Sequence, residues 1–282
     1  MFGNRGWDLV LHQVEFLIEG NLLPPTIGKL CVSEKLILEK VWRGGYESRL
    51  SHEPADYAIA YVGVDTQEES NYFPAARDYL DFFILIYSLV SGQPVTSMMG
   101  IGTTLDDMTS LGTKRVGWPS FEKIHVLNER DDDLFCKPIL DTKKLFLLLL
   151  PDRQRIMEST LGLALIFYYL AVLASRRRLE EAVINLMITA EALLITKTEC
   201  IRGNLSKRLS TLIAENETEK AEISKKMREL YDLRSDIVHG RGKKPSSNDA
   251  RILFNYVRRA VERGLSLKNF SKEDLIAKLD KS

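Results

Sequence analysis

The amino-acid sequence predicts an α+β chain. An amino-terminal strand-containing domain of mixed α/β character fills residues 1–140, and an all-helical bundle fills residues 141–282. Three observations carry this expectation. The chain has 282 residues, 45% apolar and 28% charged, an ordinary globular composition with enough apolar material for two cores. Apolar and polar residues alternate with period two in the first half, as in half-buried strands. From Asp141 onward the period becomes 3.6, with almost no Pro or Gly inside the periodic segments.

Val10 to Glu19 places Val10, Val14, Phe16 and Ile18 on one face and Gln13, Glu15 and Glu19 on the other, which predicts a strand. Lys29 to Val41 and Ala55 to Asp65 are further strand candidates, separated by turn-rich stretches at 20–28 and 43–54. Pro74 suits the start of a helix, Tyr79 to Leu89 is strongly apolar, and Gly92 with Pro94 ends it. The segment 95–128 reads as a Gly/Thr-rich loop with a short strand at Phe121 to Leu127. Helices are predicted at about 152–174, 178–197, 203–215, 218–239 and 248–265. In the second of these, Leu179, Ala182, Leu186, Ala190 and Leu193 fall three or four apart, on one face.

Composition narrows the function classes. Cys31, Cys136 and Cys200 form no C-x-x-C pair, so no disulfide framework or cysteine zinc site is expected, and the default compartment is a reducing cytoplasm. The first residues lack the apolar stretch of a secretory signal, and the most apolar run, Leu161 to Ala174, is shorter than a membrane span. It reads as a buried core helix. The 39 basic and 39 acidic side chains cancel, yet residues 1–175 carry 16 against 23 and residues 176–282 carry 23 against 16. An acidic first part joined to a basic second part fits either docking of a polyanion on the second or complementarity between the two.

Gly100-x-Gly102 is followed by Leu105 and fails as a dinucleotide fingerprint. Asp131, Asp132 and Asp133 are consecutive, so their carboxylates radiate apart, and a solvated loop is expected there, not a metal site. No G-x-S-x-G, Walker or H-E-x-x-H motif occurs, and no cofactor or metal is expected. His12, His52 and His125 stand singly in strand or loop contexts.

The informative stretch runs from Tyr231 to Gly240, Tyr-Asp-Leu-Arg-Ser-Asp-Ile-Val-His-Gly, at the end of an amphipathic helix. It contains Arg234-x4-His239. Spacing alone is weak, because with 20 Arg and 4 His such a pair arises about once by chance. Arg5 and His12 supply such a decoy ahead of the first strand. Context separates the two pairs: Gly240 marks a helix end, Arg241, Lys243 and Lys244 make the flank basic, and Ser235 with Asp236 sets polar groups beside the Arg.

On these residues the chain resembles the HEPN superfamily, and most closely its Apea-like branch, in which a helical bundle carries an R-S-x-x-V-H-G segment after a tyrosine. Ala190 to Leu194 resembles the family's acidic helix, and Leu205 to Leu209 the helix that follows. The resemblance covers about 150–265. It implies a metal-independent RNA endonuclease, acting in defence or stress, in which Arg234 and His239 are catalytic and Arg241, Lys243 and Lys244 touch RNA. It also implies a homodimer. RNA brings its own nucleophile, the 2′-hydroxyl, so an acid or base and a phosphate-holding cation suffice. A helix carboxyl end favours a cation, which suits a general acid or phosphate binder more than a base.

Five residues at about 100° each set Arg234 and His239 about 140° apart around a helix, which one chain converges poorly on one phosphate and two packed chains converge well. Other roles stay open. Arg234 pairs with Glu191 or Asp236 in a purely structural reading, Glu191 either orients the site or is a surface helix former, and Tyr231 either packs or stacks on a base. A non-catalytic module that binds RNA or a nucleotide and dimerises is the competing function. Ser235 favours it, since HEPN nucleases often place Asn, Asp or His directly after the Arg.

Overall fold

The computed structural model describes residues 11–19, 29–33, 36–41, 57–65, 72–93, 95–104, 137–196, 200–267 and 271–281. Arg5, His52, His125, Asp131 to Asp133 and the expected strand at 121–127 lie outside them. The chain forms two compact units, Met1–Leu147 and Leu148–Ser282.

In the first unit β1 (Leu11–Glu19), β2 (Lys29–Ser33), β3 (Leu36–Val41), β4 (Tyr57–Asp65) and β5 (Thr96–Thr104) pair in the order β2-β3-β4-β1-β5. Every pairing is antiparallel. β1 lies between β4 and β5, with Phe16 opposite Ala60 on one side and Gly100 on the other. The Gly100/Gly102 segment, expected as a loop, is thus a strand: pairing to β1 supplies the hydrogen bonds that its own weak strand propensity does not favour.

Between β4 and β5 lies α1 (Tyr72–Ser91), which ends where Gly92 turns left-handed at φ 65° and donates its N–H to the Ser88 carbonyl at 2.9 Å. Its Phe82 and Phe83 are fully buried and, with Tyr79, surround Phe146 of α2 (Lys137–Leu149) at ring-centre distances of 5.4–5.7 Å. The expected fold class, α+β with an amino-terminal strand domain, misjudges this balance and is corrected. Over the residues whose side chains are described, 84% are helical.

The second unit is a helical bundle. A turn of 3-10 helix (Leu150–Asp152) and α3 (Arg153–Met157) precede α4 (Thr160–Ser175), where the sequence predicts a single helix over 152–174. The break falls at Glu158 and Ser159, between Met157 and Thr160. Ser159 caps α4 by accepting the Leu161 N–H at 3.2 Å, and Gly162 allows the close approach of α3. A Cβ at Gly162 would lie 2.5 Å from the Ile156 carbonyl oxygen.

α4 buries Leu161, Ala164, Leu165, Tyr168, Ala171 and Val172, as expected of a core helix, while Leu163, Ile166 and Leu170 stay 37–46% exposed. A three-arginine turn leads into α5 (Leu179–Leu194), whose Ala182, Leu186, Ala190 and Leu193 are all buried. α6 (Ile201–Ile213), α7 (Glu217–Val238), α8 (Ser247–Ser266) and α9 (Lys272–Lys281) follow. α8 packs closely on α4 and α5: a Cβ at Gly264 would stand 3.4 Å from Leu161 and 4.0 Å from Leu193, and Phe254 meets Tyr168 edge to face at 5.9 Å. Among the described residues no single helix is long and apolar enough to cross a membrane, although the bent pair 137–157 and 160–175 passes that test jointly.

Candidate functional site

α7 begins where the Asn216 side chain accepts the Glu219 N–H at 2.9 Å, and it presents Ile223, Met227 and Leu230 to the bundle core. The motif occupies its last two turns. His239 is the capping residue, with its N–H on the Ser235 carbonyl at 3.0 Å. Gly240 is left-handed at φ 66° and donates to the Ile237 carbonyl at 3.1 Å, while Arg241 N–H reaches the Asp236 carbonyl at 2.9 Å. This pair of bonds is a Schellman closure, which needs a residue free to take positive φ at Gly240. Among the described residues the exposed His239 imidazole enters no hydrogen bond or ion pair.

Arg234 faces inward across the bundle, toward α5. One Nη stands 4.0 Å from a Glu191 oxygen, with each side chain about a quarter exposed. The Arg234 Nε and the Glu191 Oε1 are both buried without a hydrogen-bond partner among the described residues. Burial raises the Glu191 carboxyl above the usual glutamate range, and the Arg234 charge acts against that rise. The Arg234 guanidinium carbon also lies 5.9 Å from the Tyr231 ring centre, at the outer limit of a cation–π contact. Of the two partners open to Arg234 in the sequence, the structure brings it to Glu191.

Asp236 is committed elsewhere. It is nearly buried, and its two oxygens take Arg241 at 3.0 Å and Lys243 at 2.6 Å, whose side chains remain 65% exposed. The hydrogen bonds from Lys243 and then Arg241 hold its carboxyl below the usual aspartate range. A single carboxylate thus carries two exposed cations on the loop after α7. Lys244 is exposed beside them, and Ser235 contributes the carbonyl that caps His239.

The structure therefore gathers the singled-out residues into two groups: Glu191, Arg234 and Tyr231 at the α5–α7 contact, and Asp236, Arg241 and Lys243 at the helix end. Arg208, which lies inside the Leu205 to Leu209 segment, and Lys272 donate to α5 carbonyls beside Glu191, a role the sequence does not reveal. A motif scan has no means to find them, since they act through carbonyl groups. Among the described residues no three His, Cys, Asp or Glu side chains are grouped to hold a metal ion. No family model, curated protein or solved structure matches the chain.

Proposed function

We propose that this chain is a metal-independent RNA endonuclease of HEPN type, working as a homodimer in a reducing cytoplasm, with Arg234 and His239 as catalytic residues. The observation that carries this reading is the contrast at the end of α7: an exposed His239 without a side-chain partner among the described residues, on a rigid helix cap, and an Arg234 whose guanidinium is left short of hydrogen bonds among them. In the reaction, the RNA 2′-hydroxyl loses its proton to solvent water and its oxygen attacks the neighbouring phosphorus. The bond to the 5′-oxygen of the next nucleotide breaks, leaving a 2′,3′-cyclic phosphate and a 5′-hydroxyl. His239 as imidazolium gives its proton to the leaving 5′-oxygen, and Arg234 donates to the phosphoryl oxygens as negative charge gathers there. Five residues of helix separate the two, so a cleft built from two chains is the arrangement that serves both.

A second reading is favoured by one observation. Asp236 already engages Arg241 and Lys243, and Glu191 faces Arg234, so much of the positive charge has an internal counter-ion. That suits a module that binds RNA or a nucleotide weakly and does not cut it. The deciding experiment is incubation of single-stranded RNA with the purified chain in EDTA, against His239→Ala and Arg234→Ala. Cyclic-phosphate ends lost in both variants support the nuclease. Products with 5′-phosphate ends, or a strict need for Mg²⁺, require water as nucleophile and overturn it.

A further inference from the structure

The last carbonyl groups of a helix are poorly satisfied within it, and at the end of α5 two carbonyls take donors from other helices. The Glu191 carbonyl accepts the Ile195 N–H at 3.0 Å and the Lys272 ammonium of α9 at 3.4 Å. The Leu194 carbonyl accepts an Arg208 Nη of α6 at 2.9 Å. The same guanidinium, only 12% exposed, forks onto Asp280 of α9, with Nε to Oδ1 at 2.8 Å and the other Nη to Oδ2 at 2.7 Å. Leu275, Ile276 and Leu279 of α9 are buried between these two attachments. α9 is thus fastened near both of its ends to the turn of α5 from which Glu191 faces Arg234.

We propose that α9 is a positioning strap for the candidate site: Lys272 directly, and Asp280 through Arg208, fix the carboxyl end of α5 and so hold Glu191 against Arg234. The proposal rests on the reading of Arg234 as a functional residue given above. Arg208, Lys272 and Asp280 are positioning residues, and none is argued to touch RNA. Two cations at the carboxyl end of α5 complement its dipole, and the Asp280 fork fixes the direction of one of them. Without the fork, Arg208 is free to swing into solvent, the last turn of α5 loses a donor, and water reaches the Glu191 carboxyl.

The test uses the full chain with Asp280→Asn, which removes the charge while keeping the shape, together with Asp280→Glu as the conservative variant and Lys272→Met as an independent release of the other attachment. The Glu191 carboxyl is titrated by carbon-13 NMR. Burial is expected to raise its midpoint in the wild type, and in Asp280→Asn and Lys272→Met the midpoint is expected to fall toward the ordinary glutamate value, with Asp280→Glu restoring it. On RNA, kcat is expected to drop about tenfold in Asp280→Asn with KM nearly unchanged, the mark of lost positioning. An unchanged Glu191 midpoint in folded Asp280→Asn overturns the proposal, even where the melting temperature falls, because α9 would then stabilise without positioning. Absence of cleavage by the wild type overturns the nuclease reading alone, since the titration is read without RNA. Should Asp280→Asn fail to fold, the midpoint in Lys272→Met decides.

Discussion

Replacing Arg234 with alanine removes the one cation that acts on the Glu191 carboxyl among the described residues, and the cost depends on pH in a way the geometry fixes. Unit charges 4.0 Å apart attract by about 4 kcal/mol at an effective dielectric near 20. Both side chains are about a quarter exposed, and no hydrogen bond joins them, so screening reduces this to about 1–2 kcal/mol. The folded carboxyl titrates above its unfolded value, so the stability tied to its neutral form is complete at acid pH and is lost as pH rises through the raised value. Arg234→Ala takes away the effect that limits the rise and thereby enlarges the loss. Urea unfolding followed by helical circular dichroism should show the variant about 1–2 kcal/mol less stable at about pH 7. At about pH 4, where Glu191 is mostly neutral in both states, the difference should fall below about 0.5 kcal/mol. In a Glu191→Gln background the cost should be small and flat with pH. Equal costs at the two pH values, or an undiminished cost in the Glu191→Gln background, would refute the pairing.

Three other expectations concern separate features. Gly162→Ala sets a methyl 2.5–2.7 Å from backbone atoms of Ile156 and Met157, so despite the helix preference of alanine it should lower stability by about 2 kcal/mol or more in the same unfolding assay. Asp236→Asn releases Arg241 and Lys243, and limited trypsin digestion should then cut at 241–244 several times faster than in the wild type. Arg5→Ala and His12→Ala should leave metal-free RNA cleavage unchanged, while Arg234→Ala and His239→Ala lower it by about a hundredfold or more, measured by labelled-RNA gel assay.

Local signals carry the helix ends further than the packing. Gly240 reads as a stop, and the structure uses it as the left-handed residue of the α7 closure; Leu179 to Leu193 reads as one face, of which Ala182, Leu186, Ala190 and Leu193 are buried and Leu179 is half-buried. The break before α4 escapes a sequence reading because Ser159 and Gly162 act through contacts with the preceding turn, which hydrophobic spacing does not register. β5 escapes it because its glycines punctuate a sequence whose partner strand lies some 80 residues earlier, as in the pairing of Phe16 with Gly100. α9 lies beyond the expected helices, which end at about 265, although Glu273 and Asp274 stand in its first turn and Lys278 and Lys281 in its last. At the site, the motif residues are visible while their partners are not. Glu191 and Arg234 are 43 positions apart, and only the crossing of α5 and α7 selects Glu191 over the nearer Asp236.

The turn of Arg176, Arg177 and Arg178 bears on how the chain emerges during synthesis. α4 has no charged side chain between Thr160 and Ser175, so it is the segment most prone to stick to other chains before it is covered. α5 follows after only three residues, and its buried face is the nearest cover that translation delivers. The Arg177 and Arg178 N–H groups both bond the Ala174 carbonyl, at 2.9 and 2.8 Å, so the reversal of direction is built into the end of α4 itself. Pairing between neighbours in sequence closes a small loop and is fast, and three exposed arginines at the tip repel an identical nascent hairpin. The stickiest helix of the bundle is thereby sheltered within one hairpin's length of leaving the ribosome.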